Sequence, residues 1–371
     1  MRLPTSISRR SALTIFCVLV AVHSVRAGSL LETIDREVSS LYDQSQDAIV
    51  KIHATRQVSP IGIPLQPGHR IGTGFFIDDA GRLLTVAAVV TEADRCWIEW
   101  RGKSIDAEVL GLDPATNLAL LKIDPALAVE AGEKLPHLTL GDSDKVRVGS
   151  MVIAIGFPFD LPSAPSVGFV SGIDIQTGSR VFVTSHIRAG CKLSPGQGGG
   201  PLLNASGEVV GIAVAAHAGD QAYALPVNAA KKLVADFLGY GQACYGWVGL
   251  NVGQRRRVWP EGTMEDTQVF VQQVFSNTPA SVAGFRNEDL LVAIKTNNVR
   301  RLADVLNTMF YYHVGDHVEF TILRDGAQTN ITLIVGQRPA DENETSATAA
   351  VPLPINRPAA LPSVQPVSSD R

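Results

Sequence analysis

Serine, cysteine and histidine, the residue types that act as nucleophile and base in covalent catalysis, gather in one stretch of this 371-residue chain. They are Ser194, Cys191, His186 and His217. Cys191 and His186 are five residues apart, so in a strand their side chains point to opposite faces of the sheet. A working site needs a nucleophile, a base and an orienting group within mutual reach. We therefore predict ordinary roles for these four: a loop hydroxyl, a packed thiol, and surface or hydrogen-bonded histidines.

Three other stretches follow one another along the chain. Gly72 to Val90 joins an apolar run to an alanine- and valine-rich turn, Leu112 to Ile123 ends in an apolar run, and Ser194 to Leu202 is rich in glycine. In order and spacing they resemble the catalytic-histidine turn, the catalytic-aspartate segment and the nucleophile loop of the HtrA/DegP family of trypsin-like serine proteases. The resemblance covers Ala48 to Leu238 and implies a mainly β fold, two six-stranded antiparallel barrels packed together.

The same resemblance places the family's catalytic triad on three residues that lack its chemistry. Ala88 stands where the family has histidine, Asn117 where it has aspartate and Gly198 where it has serine. Proteolysis needs a nucleophilic oxygen, an imidazole that accepts and returns its proton, and a carboxylate that holds the imidazole's tautomer. Alanine and glycine side chains have no nucleophilic or titratable atom. The sequence therefore predicts a degenerate, inactive protease domain.

Backbone groups of the glycine-rich loop do not depend on those side chains. In the family, the N–H groups at the positions of Gly196 and Gly198 form the oxyanion hole. Without a triad, such donors still polarise a bound carbonyl modestly, or they could hold a carboxylate instead. The alternative is a flexible loop, because Gly196 and the run from Gly198 to Gly200 raise the entropy cost of ordering the backbone.

A second resemblance extends from Gly246 to Val335, which is similar to a PDZ domain of the HtrA type. Glu288 and Lys295-Thr296 depart from the usual pattern, but they fall in turns. A PDZ domain adds a peptide strand to an exposed sheet edge and captures the peptide's carboxylate with N–H groups of a loop. The alternative is a domain that only packs or mediates assembly. By resemblance, the peptide-binding loop consists of Trp247, Val248, Gly249 and Leu250.

Three functions are compatible with these patterns, and the residues favour the first. It is an exported, catalytically inactive HtrA-like protein that binds peptides, C-terminal segments or unfolded proteins through its PDZ domain, as a chaperone, scaffold or regulator. The second is a serine-type endopeptidase with relocated or residual activity. The third is a regulatory subunit assembled with an active relative. The family usually forms trimers, so the resemblance also implies a homo-oligomer.

The elements that would position these residues are predicted from apolar spacing. Short apolar runs between turns fill Ala48 to Ala224, which is typical of a β-sandwich or barrel. Helical spacing predicts a helix from Ser29 to about Gln46 and another from Leu225 to Leu238, opened by Pro226. The predicted strands are Gly72 to Ile77, Arg82 to Val86, Ser104 to Leu110, Leu118 to Ile123, Met151 to Ile155, Ser166 to Ile173, Arg180 to Thr184 and Val209 to Ala215.

The remaining chain is predicted as a small α+β domain and a tail. Six prolines follow Arg338 without apolar periodicity, which is typical of a disordered or polyproline-like linker. The predicted domains are thus 28–240, protease-like with an N-terminal helix, 245–338, the PDZ domain, and 339–371, the tail. Within the PDZ domain we predict strands at Gln268 to Val274, Leu290 to Ile294 and twice around Val318 to Val335, and helices starting at Pro279 and spanning Leu302 to Tyr311.

Composition excludes whole classes of protein. Hydrophobic residues at 45% and charged residues at 18% exclude wholesale disorder, and a net charge of −4 provides no basic surplus for nucleic-acid binding. Residues 1–27 combine Arg2, Arg9 and Arg10 with an apolar stretch and a small-residue site before Gly28, which is typical of a signal peptide. Export by the secretory or the twin-arginine route predicts a periplasmic or extracellular protein without a membrane span.

Three cysteines remain after residues 1–27 are removed. Cys96, Cys191 and Cys244 are too far apart in sequence for a disulfide framework or a metal site. One disulfide between two of them is compatible with an oxidising compartment, and the sequence leaves open which two. No zinc or redox motif is present, so the sequence calls for no cofactor and no metal.

Overall fold

A computed structural model describes residues 31–56, 68–130, 132–177, 180–217, 221–258 and 265–337. The chain divides into two compact units, residues 1–47 and 48–371. In the first unit, residues 31–45 form helix α1, which agrees with the apolar spacing. The predicted signal peptide and proline-rich tail lie outside the described residues. In the part of the chain that is described, no helix is long and apolar enough to cross a membrane.

Seven antiparallel strands form the first sheet of the protease-like domain, in the described part of residues 49–122. They are β1 Ile49–Arg56, β2 Gly68–Phe76, β3 Arg82–Val86, β4 Arg95–Trp100, β5 Lys103–Asp106, β6 Glu108–Asp113 and β7 Leu118–Lys122. Their order is β5-β4-β1-β2-β3-β7-β6. The one-turn helices α2 (Ala87–Val90) and α3 (Pro125–Ala128) follow β3 and β7.

This sheet corrects the predicted strand count of six and the predicted single strand from Ser104 to Leu110. That segment forms two strands with different partners, since β5 pairs with β4 and β6 pairs with β7. The chain turns back into β5 at Arg101 and Gly102, whose φ values of 47° and 74° are left-handed. Because this turn creates an extra hairpin, the sheet has a seventh strand.

The second barrel is closed and has six strands in the described residues. They are β8 Met151–Gly156, β9 Ala164–Thr177, β10 Arg180–Ala189, β11 Pro201–Leu203, β12 Val209–His217 and β13 Gln221–Pro226. Their order around the barrel is β10-β13-β12-β11-β8-β9. Val152, Ile187 and Leu202 are among the buried residues that fill its core. Helix α4 (Val227–Tyr240) follows directly, starts after Pro226 as predicted, and ends at left-handed Gly241.

The third sheet belongs to the α+β domain. Its elements are β14 Leu250–Val258, β15 Glu265–Val274, α5 Pro279–Val282, β16 Leu290–Ile294, β17 Asn297–Asn298, α6 Leu302–Met309, β18 His317–Arg324 and β19 Ala327–Ile334. The order β14-β15-β16-β18-β19 makes β14 an edge strand of the described sheet, while β17 pairs with β16. Val271, Phe320 and Ile322 lie in this domain's own core, so it has the size and packing of an independent domain.

Helix α4 packs against the first sheet at a site that requires glycine. A Cβ on Gly111 of β6 would lie 2.5 Å from the ring of Phe237 in α4. Phe237 is only 3% exposed, whereas its neighbour Leu238 is 47% exposed. The ring of Phe237 therefore fills the space left by the missing side chain of Gly111.

We expect Phe237→Ala to lower the free energy of unfolding by about 3–5 kcal/mol, because it removes a buried ring from a site that cannot collapse around glycine. Leu238→Ala is the matched control on the same helix, and its effect should stay within about 0.5 kcal/mol. Urea unfolding of the two variants measures both values. Similar losses in the two variants would contradict this account of the packing.

Candidate functional site

A cavity of about 210 Å³ brings together the three positions predicted to replace a catalytic triad. Ala88 in α2, Asn117 between β6 and β7, and Gly198 in the glycine-rich loop all line it. The sequence-predicted positions thus meet at one site, although 29 residues separate the first two. The other lining residues are Arg70, Ile71, Val86, Val89, Leu193, Ser194, Gly196, Val214, Ala215 and Ala216.

Asn117 joins two parts of the cavity wall through its side-chain amide. Its Oδ1 accepts a hydrogen bond from the N–H of Ala88 at 2.8 Å, and its Nδ2 donates to the carbonyl of Val214 at 3.0 Å. One partner is a donor and the other an acceptor, so both groups of the amide are satisfied. A carboxylate in the same place could accept from Ala88 but could not donate to Val214.

The turn that presents Asn117 is built by the carboxylate of Asp113. Asp113 Oδ2 accepts hydrogen bonds from the N–H and the hydroxyl of Thr116, and its Oδ1 accepts from the N–H of Ala115. Asn117 itself has φ 60°, a left-handed conformation that asparagine tolerates better than most residues. Residue type and turn geometry therefore both favour asparagine at this position.

Arg70 is the one charged residue among the described residues that line the cavity. Its guanidinium donates to the carbonyl of Ala88 at 2.9 Å and to the carbonyl of Thr91. Burial lowers the pKa of Arg70. The side chain thus fixes a positive charge at the wall of an otherwise mostly apolar cavity.

The glycine-rich loop is held in place by side chains on both sides. Thr73 Oγ1 donates to the carbonyl of Gly196 at 2.8 Å and accepts from the N–H of Phe157 at 3.0 Å. The buried side chain of Gln197 accepts from the N–H of Ser194 at 2.8 Å. These bonds order the loop without help from a nucleophile.

Two glycines of this loop differ in what the fold demands. Gly196 has φ +94°, and a Cβ there would lie 2.3 Å from the carbonyl oxygen of Phe157, so the backbone requires glycine. A Cβ on Gly198 would meet only Val86, at 3.6 Å, an ordinary contact. Packing therefore does not require glycine at position 198, and the missing side chain leaves free space there.

The N–H groups of Gly196 and Gly198 have no hydrogen-bond acceptor among the described residues. The carbonyls of both residues are engaged, that of Gly198 by the N–H of Thr73 at 2.9 Å. Since both glycines line the cavity, the loop offers two backbone donors beside it.

The residue types singled out for displaced chemistry do not converge on the cavity. Ser194 lines it, but Cys191 is fully buried with its Sγ 4.0 Å from the carbonyl of Val152, and burial raises its pKa to about 11. His186 is buried, with its ring centroid 4.1 Å from that of Phe182. The side chain of His217 lies outside the described residues. All three cysteines within the described residues are free.

The predicted peptide-binding loop lies at the start of the edge strand β14. Trp247 exchanges backbone hydrogen bonds with Gly336, and the carbonyl of Val248 accepts from the N–H of Ala280 at 2.9 Å. Gly249 has φ +78°, and its carbonyl accepts from the N–H of Phe275. The loop that leads into Leu250 is therefore anchored on both sides.

Sequence reasoning missed the buried polar contacts between the second barrel, α4 and the α+β domain. Asp236 of α4 is fully buried and accepts hydrogen bonds from Lys232 Nζ at 2.6 Å, from the N–H of Cys244 at 2.9 Å and from His313 Nε2 at 2.8 Å. Asn307 of α6 accepts from the N–H of Ser185 at 2.7 Å. No local signal marks such pairs, because His313 and Asp236 are 77 residues apart.

A further contact reaches the turn below the cavity. The hydroxyl of Tyr245 donates to Asp113, the carboxylate that shapes the turn before Asn117. Burial and the nearby carboxylate of Asp113 raise the pKa of Tyr245, so the phenol stays protonated and remains a donor. The linker before the α+β domain thus braces the cavity wall.

Comparison with known proteins agrees with this geometry. The trypsin-like peptidase domain model matches residues 72–212, and the PDZ domain model matches residues 252–335. The solved HtrA-type protease AlgW with a tripeptide superposes with a TM-score of 0.66 at 26% identity, covering 82% of this chain and 98% of that structure. This chain belongs to the HtrA family. The predicted fold class, a trypsin-like double barrel followed by a PDZ domain, is confirmed.

Curated relatives of this HtrA-family chain are longer proteins. A probable periplasmic serine endoprotease DegP-like from Chlamydia trachomatis serovar D is 32% identical over 279 residues, which are 73% of this chain and 55% of the relative. The protein of the same description from Pseudomonas putida F1 is 30% identical over 297 residues, which are 78% of this chain and 61% of the relative. The chain therefore spans little more than half the length of the curated relatives it matches.

We expect Asn117→Asp to lower the free energy of unfolding by about 1–3 kcal/mol at neutral pH, because two acceptors then face each other at Val214. A protonated carboxyl donates to that carbonyl, so the loss should shrink as the pH falls below the carboxyl's pKa and grow as the pH rises through it. Urea unfolding of variant and parent at about pH 3 and about pH 7 spans the usual Asp pKa of about 3.9.

Asn298→Asp, in the exposed strand β17, is the matched control and should unfold like the parent at both pH values. Equal stability of Asn117→Asp and the parent at neutral pH would mean that the amide bridge to Val214 contributes nothing.

Proposed function

We propose that this chain is an exported, catalytically inactive HtrA-family protein that binds peptides or unfolded proteins through its PDZ domain. The observation that carries the proposal is the common cavity of Ala88, Asn117 and Gly198. Arg70 is the one ionisable residue among the described residues that line this cavity. Hydrolysis by the family's mechanism requires a nucleophile, a base and an orienting carboxylate, and these positions supply none of them.

The packing supports loss of activity while the fold is kept. The cavity has room for a side chain at Gly198, so glycine there is not a steric requirement. Both groups of the Asn117 amide form hydrogen bonds, one with Ala88 and one with Val214. This structural role does not depend on an imidazole. At position 117, contacts that stabilise the cavity walls therefore take the place of a catalytic carboxylate.

Relocated chemistry has less support. A nucleophile must be within reach of its base, and Cys191 and His186 are buried and do not line the cavity. Burial also raises the pKa of Cys191 to about 11, so its thiol is almost entirely protonated near neutral pH. Ser194 is left without a histidine among the described residues lining the cavity.

Peptide binding by the PDZ domain is supported by the outer edge of β14, which has no strand partner in the described sheet and lies beside the anchored loop of Trp247, Val248, Gly249 and Leu250. A free strand edge is where PDZ domains pair with a peptide main chain. The solved AlgW structures contain a tripeptide or a decapeptide, which is consistent with a peptide as the ligand of this chain.

The location and assembly of this chain are proposed from its similarity to the curated relatives and from its sequence. The curated relatives are named as periplasmic, and residues 1–27 have the pattern of a signal peptide. We propose the periplasm as the site of action and 28–240, 245–338 and 339–371 as the mature domains. Assembly as a homotrimer or with an active relative stays a prediction of the resemblance.

Purified chain beginning at Gly28 should not hydrolyse an unfolded protein such as casein at any pH from about 5 to about 9, the range in which histidine-dependent catalysis would be seen. The triple variant Ala88→His/Asn117→Asp/Gly198→Ser supplies the missing groups, and slow hydrolysis by it would validate the assay. Turnover by the parent chain that co-purifies with it would contradict inactivity, and loss of that turnover in Ser194→Ala or Cys191→Ala would identify relocated chemistry.

A fluorescein-labelled decapeptide with a free, apolar C-terminus should bind the full chain, and Leu250→Asp should weaken binding at least about tenfold, because its negative charge repels the peptide's carboxylate at the predicted loop. Ile334→Asp is the control, because Ile334 is exposed on β19 at the opposite edge of the sheet. Fluorescence polarisation measures the affinities, and circular dichroism checks that both variants are folded. Equal affinities for the two variants would argue against the PDZ site.

A further inference from the structure

We propose that the cavity of Ala88, Asn117 and Gly198 is a second peptide site, which binds the C-terminal carboxylate of a peptide ending in a small apolar residue. The inference rests on the proposed function only in that the cavity performs no hydrolysis. It does not depend on whether the PDZ domain binds peptides.

Three groups provide the attraction for an anion. The N–H groups of Gly196 and Gly198 have no acceptor among the described residues, and Arg70 adds a positive charge at the wall. No acidic side chain is among the described residues that line the cavity. Glu92, the nearby acid that acts on Arg70, forms an ion pair with Arg56. Hydrogen bonds to a charged acceptor are about twice as strong as neutral ones.

The missing side chains make room for a second oxygen. A carbonyl group has one oxygen, whereas a carboxylate has two. One carboxylate oxygen can accept hydrogen bonds from both N–H groups. The second oxygen requires free space beside these two donors. Gly198 offers that space, since only Val86 would contact a Cβ there, and Ala88 ends at its methyl group. A serine and a histidine at these positions would fill the same space.

The walls and the volume select the residue that bears the carboxylate. Val86, Val89, Leu193 and Val214 make the lining mostly apolar, which favours an apolar side chain. The volume of about 210 Å³ is below the ~300–1,000 Å³ of pockets that hold drug-sized ligands. One small residue such as valine or alanine fits these limits.

An open strand edge favours a peptide over a free carboxylic acid. Strand β11 pairs with β12 only as far as Ile212. The next residue, Ala213, forms backbone hydrogen bonds with Gly199 and Gly200. Beyond Ala213, β12 has no strand partner on that side among the described residues, and Ala215 and Ala216 line the cavity. A peptide main chain can pair there while its last residue enters the cavity.

The chemistry of this ligand indicates what supplies it. A free carboxylate on an internal sequence is created when a peptide bond is hydrolysed and water provides the second oxygen. Hydrolysis of a peptide bond by another enzyme is therefore the class of reaction that supplies such an end from an internal sequence, and an intact C-terminus supplies it without cleavage. In this role the chain retains C-terminal ends that finish in a small apolar residue.

The test uses acetyl-Ala-Ala-Val with a free carboxylate, the same peptide as its C-terminal amide, and isovalerate. Each is titrated calorimetrically into the full chain from Gly28. We expect the acid to bind at least about tenfold more tightly than the amide, the range for losing a charge-assisted hydrogen bond. A version of the acid peptide with a photoreactive diazirine at the second alanine should cross-link within residues 193–216.

Variants locate the site independently of the PDZ domain. Gly198→Ala places a methyl group in the space for the second oxygen and should reduce cross-linking to 193–216 at least about tenfold, while Arg70→Gln should reduce it severalfold. Gly190→Ala is the matched control, because its Cβ would meet only Phe169, at 3.8 Å. Cross-links within 247–309 should be unchanged in all three variants.

Three results would overturn the proposal: equal affinity for acid and amide, cross-links confined to 247–309, or isovalerate binding as tightly as the acid peptide. The first two exclude a carboxylate site in the cavity, and the third makes the ligand a free acid. Failure of the proposed function would be seen separately, as hydrolysis of casein or as loss of cross-links within 247–309.

Discussion

The side-chain amide of Asn117 is the interaction on which the rest of the candidate site depends. It donates to Val214 of the second barrel and accepts from Ala88 of the first sheet, so one planar group sets the separation of two walls. Glycine or alanine could not make either bond, and aspartate could make only one. The cavity keeps its shape because this one amide holds its two walls together.

A second set of polar contacts places the PDZ domain against the protease-like domain. Buried charges are costly unless they are paired and hydrogen-bonded, and Asp236 meets that condition with Lys232, Cys244 and His313. Tyr245 adds a bond to Asp113, within the turn that presents Asn117. Cavity and PDZ domain are thus linked through hydrogen bonds that need both domains in place.

The family resemblance carried by local motifs was enough to predict the double barrel and the PDZ domain, and it pointed to Ala88, Asn117 and Gly198, which the fold brings to one cavity. Strand Arg82–Val86 and helix α4 were placed to within two residues. The prediction of a single strand from Ser104 to Leu110 was wrong, because periodicity alone does not show which neighbouring strand a segment pairs with. The bonds of Tyr245 to Asp113 and of Asn307 to Ser185 span more than 100 residues, and only the packed fold brings those partners together.

Strand β14 is an edge of the described sheet, and an open edge is a surface on which two copies of a protein can pair. Arg255, Arg256 and Arg257 lie in consecutive positions of this strand. If two copies joined antiparallel through β14, these arginines would bring like charges together, and such cross-strand pairs are destabilising. Charged residues on edge strands are a common protection against aggregation. A run of arginines on this edge strand therefore disfavours polymerisation of the protein through β14.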